Sequence, residues 1–284
     1  EAISICLLHA AANPEHEEAL GKLARGFRFE EVALSSRSSS APRLVSRGDT
    51  ALVDAYLGPV IRSYVAAIAH AAPDAALRLL TSAGALSSAR AYSGKDSVLS
   101  GPAGGVVGAA NVARQAGSSR AIGFDMGGTS TDVSRWDGSF EMEHETVKAG
   151  VRIATPLLAI ETVAAGGGSI CDFDGEKLTV GPHSAGSVPG PACYGAGGPL
   201  TVTDMNFFLG RIPPGRFPFP LDEGAVRERL DSLAGRLSSR GYSRGLEEIA
   251  EGFLEIADHR MAAAIRKISL ARGYDVREYT LVAF

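Results

Sequence analysis

Two carboxylates, Asp125 and Asp132, bracket the run Met126-Gly127-Gly128-Thr129-Ser130-Thr131. Paired glycines let backbone N–H groups approach an anion, and successive N–H groups at such a turn form an anion-binding nest. The three hydroxyls add donors. A carboxylate repels a phosphate unless a cation lies between them, so Asp125 is the candidate metal ligand, directly or through water, and the first catalytic candidate. Asp132 is the second: it would share the metal or orient a water, and a structural salt bridge fits it equally. Gly127, Gly128 and Thr129 are expected at phosphate oxygens, while Ser130 and Thr131 either join them or satisfy the turn. Taken alone, the run fits a tight polar hairpin turn as well as an anion site.

A second glycine run, Gly166-Gly167-Gly168-Ser169, lies in apolar sequence. Three consecutive glycines are costly in backbone entropy, which points to close approach to a ligand or to another segment. These four are the second set of cofactor-binding candidates. Asp204, in Thr201-Val202-Thr203-Asp204, reads first as a helix N-cap and second as a substrate contact. His183, beside a Gly/Pro-rich stretch, is the histidine to test at the substrate. His9, His16, His70 and His259 stand at no metal-ligand spacing, and His144 falls in a charged run that reads as a solvated strand face. Cys193 has no sequence-adjacent base, so a structural role is expected over a reactive thiol.

These residues need elements to hold them. Ala121-Ile122 start a strand that delivers Asp125, and Val133 to Trp136 resume one after the turn, with a hairpin signal at Asp137-Gly138. Upstream, Ile3 to Leu8 reads as a strand, Asn13-Pro14 opens a helix, and residues 29–34 form a second strand. Ser35 to Ser40 reads as a flexible connection. Residues 49–70 are helical, with Leu52, Tyr56, Val60 and Tyr64 among the apolar periodic positions. Gly101 to Gly105 open a helix over 106–116, small enough to pack against backbone or ligand. Downstream come a hairpin around Asp174-Gly175, a long ordered loop over 181–200 of the functional kind, helices over 223–237 and 245–271, and a final strand over 279–284.

With 284 residues, the chain can bury a large core in more than one lobe. Its net charge of −4 gives no basic footprint for nucleic acid. No apolar run is expected to span a membrane, and no basic leader precedes Ala2 to Ala12. Three widely spaced cysteines suggest neither a disulfide framework nor a metal site, and a reducing cytoplasm is expected.

The stretch from Ala121 to Val133 resembles a phosphate loop of the actin/hexokinase-type ATPases and, more specifically, the A-type subunit or domain of the hydantoinase/5-oxoprolinase family. Residues 99–110, 162–170, 181–211 and 261–284 resemble that family in the same order. Pro-Gly-Pro-Ala-Cys-Tyr-Gly at 189–195, followed by Thr201 to Asp204, is the most specific match. The resemblance implies an α/β, ribonuclease-H-like fold with one lobe nearly complete and the other partial. Residues 1–48 would be the partial first lobe with its Ser-rich connection, and 49–284 the ATPase lobe, truncated at its last strand. ATP and Mg²⁺ are the implied cofactors, and the implied substrate is a cyclic amide of the 5-oxoproline or hydantoin class. Phosphorylation of the amide oxygen would activate the ring, and a B-type subunit or domain would complete hydrolysis in an oligomeric full-length protein. An ATP-dependent ketone carboxylase and a non-catalytic nucleotide-binding domain remain open as alternatives. The chain departs from the family pattern at Ala83 and Ala85, at Met205 and at Glu161, positions that bear on substrate identity, while the segments around 162–170 and 264–275 lean toward the oxoprolinase-like branch. Both ends read as cut, so a segment of a larger protein is expected.

Overall fold

The structure, a computed structural model, describes residues 1–148 and 150–284. The chain runs β1 (Ala2–Ile5), α1 (Glu15–Gly26), β2 (Glu31–Leu34), α2 (Ser35–Ser38), α3 (Leu44–Ala71), β3 (Arg78–Leu80), β4 (Leu86–Ser88), α4 (Ser100–Gln115), β5 (Ala121–Met126) and β6 (Thr131–Trp136). Four short strands follow: β7 (Met142–Glu143), β8 (Thr146–Lys148), β9 (Val151–Ile153) and β10 (Leu157–Leu158). The remainder is β11 (Glu161–Val163), β12 (Ser169–Phe173), β13 (Leu178–Ser184), α5 (Val202–Phe208), α6 (Glu223–Ser238), α7 (Leu246–Ile268) and β14 (Thr280–Ala283). This mixed α/β chain forms two compact units, one of residues 1–115 and 136–160, the other of residues 116–135 and 161–284.

In the first unit β1 and β2 pair in parallel, and Ile5, Ala24 and Leu34 form a small core with α1. The boundary expected between 48 and 49 falls inside α3, which packs on both strands. The Ser-rich stretch is not the flexible connection its composition suggested. Ser35, Ser38 and Ser39 are buried, because each hydroxyl has a partner. Ser35 Oγ donates to Glu17 Oε1 at 2.6 Å, Ser38 Oγ to Asp54 Oδ2 at 3.0 Å, and Ser39 Oγ to the Ala154 carbonyl. Arg47, fully buried, closes the network with bonds to Ser35 Oγ (3.1 Å) and to the carbonyls of Pro42 (2.9 Å) and Leu7 (2.8 Å).

By length and composition only, α3 is long and apolar enough to cross a membrane. In this fold it is the spine of the first unit. Beyond Arg47 and Val65 its buried positions are small residues, among them Ala51, Ala55 and Gly58, and the large Leu52, Tyr56, Val60 and Tyr64 are exposed. Close approach explains the choice: a Cβ on Gly94, in the turn beside α3, would lie 2.8 Å from the Asp54 carbonyl oxygen. Helix α4 starts at Ser100, earlier than expected, and packs Ala103 and Val106 against Leu158, with Leu80 alongside.

The second unit holds a four-stranded sheet in the order β11-β6-β5-β14. Strand β14 runs parallel to β5, and β11 antiparallel to β6. Ile122 and Val133 pack on Ala264 and Ile268 of α7. The larger core lies under the β12–β13 hairpin, where Val180 meets Met205, Leu230, Ile249 and Phe253 of α5, α6 and α7. Thus α7 serves both cores, with Ile249 and Phe253 in one and Ala264 and Ile268 in the other. The C-terminal segment is held by Arg135, whose guanidinium lies 3.5 Å from the Tyr274 ring centroid and donates to Tyr279 Oη at 3.1 Å.

Arg47→Ala strips Ser35 Oγ and the carbonyls of Ala41, Pro42 and Leu7 of a donor, so it should destabilise the protein by about 3 kcal/mol or more. Leu52→Ala, on the exposed face of the same helix, should change stability by less than about 0.5 kcal/mol. Denaturant midpoints of the two variants check the contrast.

Candidate functional site

The turn between β5 and β6 is closed by the Gly127 N–H donating to the Ser130 carbonyl at 2.9 Å. Gly127, Gly128 and Thr129 are exposed, and Ser130 is half-buried. A Cβ on Gly128 would meet nothing within 4 Å, and one on Gly127 only the Ser130 oxygen at 3.5 Å. Neither glycine sits at positive φ. Neither steric crowding nor backbone strain therefore explains glycine here, and the open backbone face is what an approaching anion needs.

The second glycine run has a different task. Gly167 N–H donates to Gly127 O at 3.0 Å, and Gly168 N–H to Gly128 O at 2.6 Å. A Cβ on Gly166 would lie 2.7 Å from Gly127 O and 2.8 Å from Ser130 N, and one on Gly168 would lie 2.9 Å from Gly128 O. Of the two partners expected for Gly166 to Ser169, a ligand or another segment, these contacts are with another segment. Gly166, Gly168 and Ser169 are buried against the turn, and Ser169 Oγ is occupied by the Gly166 N–H at 2.9 Å. Gly167 O in turn accepts from Thr203 N (2.8 Å) and Thr203 Oγ1 (2.9 Å), which ties the run to α5. Of the two readings of Thr131, the contacts fit the structural one: its buried hydroxyl donates to Ala165 O at 2.5 Å.

Asp125 stands half-buried near the end of β5, and Asp132 on the neighbouring β6. Burial, and then the negative charge of Asp132, push the Asp125 carboxyl above the usual carboxylate range. Asp132 Oδ1 accepts from Thr162 Oγ1 at 2.7 Å. A pair of carboxylates beside an open turn suits a divalent cation. Among the described residues no three potential ligands cluster, so such a cation would complete its shell with water and phosphate oxygens. Mg²⁺ characteristically binds through one or two carboxylates in this way, so the residues present fit it.

Asp204 is neither the N-cap of α5 nor a substrate contact. It is fully buried at the third helical position, with Thr201 as the cap. Its oxygens accept from Thr201 N (2.7 Å), Thr201 Oγ1 (2.8 Å), Ala192 N (3.1 Å) and Cys193 N (2.7 Å). It therefore pins the Pro-Gly-Pro-Ala-Cys-Tyr loop to α5. Burial, with Asp204 alongside, pushes the Cys193 thiol well up, consistent with the structural role expected of it. His183 is exposed on β13, and no described contact joins it to the turn. Reading the sequence missed Thr162 and Thr203, whose roles depend on which segments pair.

The model of the hydantoinase/oxoprolinase family matches residues 47–284. The chain belongs to this family. It is 41% identical to 5-oxoprolinase 1 of Arabidopsis thaliana over 99% of its own length and 24% of that protein's. It is 32% identical to caprolactamase subunit alpha of Pseudomonas jessenii over 99% of its own length and 42% of that subunit's. The crystal structure of ATP-dependent caprolactamase from Pseudomonas jessenii matches all of this chain and 42% of its own with a TM-score of 0.84. A nucleotide-free acetone carboxylase structure matches with a TM-score of 0.80 at 24% identity and thus shares the fold. The chain spans about a quarter of its oxoprolinase relative's length.

The two glycine runs should respond differently to substitution. Gly166→Ala forces a Cβ into three backbone atoms under 3.0 Å away and should destabilise the protein by about 2 kcal/mol or more. Gly128→Ala should leave stability within about 0.5 kcal/mol of the parent, because its Cβ enters open space. Thermal unfolding without nucleotide measures both.

Proposed function

We propose that this chain supplies the ATP-binding part of an enzyme that opens a cyclic amide at the expense of ATP. The observation that carries the reading is the exposed, glycine-lined turn at 127–130, braced by a second backbone and flanked by Asp125 and Asp132. Its backbone N–H groups and the Thr129 hydroxyl would hold phosphate oxygens. The two carboxylates would hold Mg²⁺, which neutralises charge on the phosphates and aligns them. The terminal phosphoryl group of ATP would pass to the amide oxygen, releasing ADP. That oxygen then withdraws electrons from the ring carbon, water adds there, and the C–N bond breaks with a proton delivered to nitrogen. A second water releases the phosphate. The hydrolytic steps belong to a B-type subunit or domain in an oligomeric assembly. What the chain contributes is positioning and charge stabilisation. The names of the 5-oxoprolinase and caprolactamase relatives support the cyclic amide class.

The experiment is ATP turnover by the protein with its partner, with 5-oxoproline, a hydantoin or caprolactam added, against acetone with bicarbonate. Lactam-stimulated ADP release is expected. Bicarbonate-dependent turnover would mean a carboxylase, and nucleotide binding with no stimulated turnover a non-catalytic domain.

Asp125→Asn should weaken Mg–ATP binding by about tenfold or more, the equivalent of roughly 1.4 kcal/mol. Stability should respond in the opposite direction. The folded-state pKa of Asp125 is raised, so its ionised form disfavours folding above the unfolded pKa, and that penalty disappears as pH falls through that range. At neutral pH without nucleotide the variant should melt at or slightly above the parent temperature. Calorimetry with Mg–ATP and differential scanning calorimetry without it check the two halves.

A further inference from the structure

We propose that Thr162 is a positioning residue: its hydroxyl fixes the Asp132 carboxylate so that the other oxygen is presented to the cation and phosphates. The proposal rests on the nucleotide-site reading above and adds to it a residue outside the turn. In the β11–β6 register Thr162 stands directly opposite Asp132, with Glu161 opposite Val133 and Val163 opposite Thr131. Side chains alternate across a strand, so Thr162 and Asp132 share one face while Glu161 and Val163 take the other.

That other face is anchored. Glu161 receives Lys267 Nζ from α7 at 2.7 Å, and Val163 packs against the cluster formed by Ile122, Val133, Ala264 and Ile268. The backbone of β11 is thereby held in place. Thr162 is β-branched and stiff at χ1, so its hydroxyl position is largely set before any ligand arrives. The bond to Asp132 Oδ1 is short, 2.7 Å, yet both groups are accessible to solvent. An exposed bond of this kind adds little to folding, since water can replace it, but it restricts a carboxylate that would otherwise rotate.

The two carboxylates are thus unequally held. Among the described residues no donor is bonded to the Asp125 carboxylate, whereas Asp132 carries the Thr162 hydroxyl. Asp132 is the oriented member of the pair, and Thr162 makes it so.

The test uses Thr162→Val, which keeps the β-branched shape, and Thr162→Ser, which keeps the hydroxyl. Nucleotide binding by the protein is titrated against Mg²⁺, with thermal unfolding measured in parallel. Thr162→Val should raise the half-saturating Mg²⁺ concentration about tenfold, the effect of losing one hydrogen bond to a charged group, with the melting temperature unchanged. Thr162→Ser should restore the parent value, and Thr162→Val should add nothing on an Asp132→Asn background. If Asp132→Asn weakens binding and Thr162→Val does not, the positioning role is overturned while the nucleotide site stands. If Thr162→Val lowers the melting temperature and Thr162→Ser fails to restore binding, Thr162 is structural and the proposal is again overturned. If Asp125→Asn and Asp132→Asn also leave Mg–nucleotide binding unchanged, the reading of the site fails, and this inference with it.

Discussion

Two stretches of backbone, 127–130 and 166–168, lie so close that no side chain fits between them, and the arrangement of the site depends on that approach. Gly167 and Gly168 donate directly to the carbonyls of Gly127 and Gly128. With those carbonyls bonded behind the turn, the peptide planes are locked and the opposite face of the turn is left open. A turn of two glycines would otherwise sample many conformations. Rigidity in the first run is therefore borrowed from the second, and that of the second from Thr203 on α5.

This bracing explains why Asp204 is so heavily bonded. A buried carboxylate with four donors holds the start of α5 and the 192–193 segment together. Thr203, its sequence neighbour, is thereby placed to hold Gly167. A line of hydrogen bonds thus leads from the Gly/Pro-rich loop, through the first turn of α5 and the glycine run, to the turn at 127–130. The links are backbone–backbone bonds and bonds of the short side chains of Asp204, Thr201 and Thr203.

Electrostatics sets the site apart from the support. The buried anions Asp204, in the support, and Glu17, in the first unit, are saturated with donors. At the turn, Asp125 is unpaired among the described residues and sits beside another carboxylate. Like charges left together without a donor for one of them are unfavourable unless a cation joins them.

Much of the second unit was legible in the sequence. The strand–turn–strand at 121–136, the hairpin about Asp174-Gly175 and the existence of helix α7 follow from local chemistry: turn residues, alternation and helical period. The family followed from ordered motifs, and the candidate carboxylates from residue type. What periodicity and composition missed depended on partners distant in the chain. Ser35 to Ser40 looked flexible because its binding partners, Glu17, Asp54 and Ala154, are far away in sequence. The buried side of α3 is the one with small residues, because neighbouring backbone comes too close for large ones. Likewise a glycine that faces open space and a glycine that faces another backbone are the same letter. The sequence alone marked 127–128 and 166–168 as places where small residues leave the backbone open to close approach. Only the tertiary structure decided that the first run faces outward and the second faces the first, because that distinction is a matter of which atoms occupy the space a Cβ would fill.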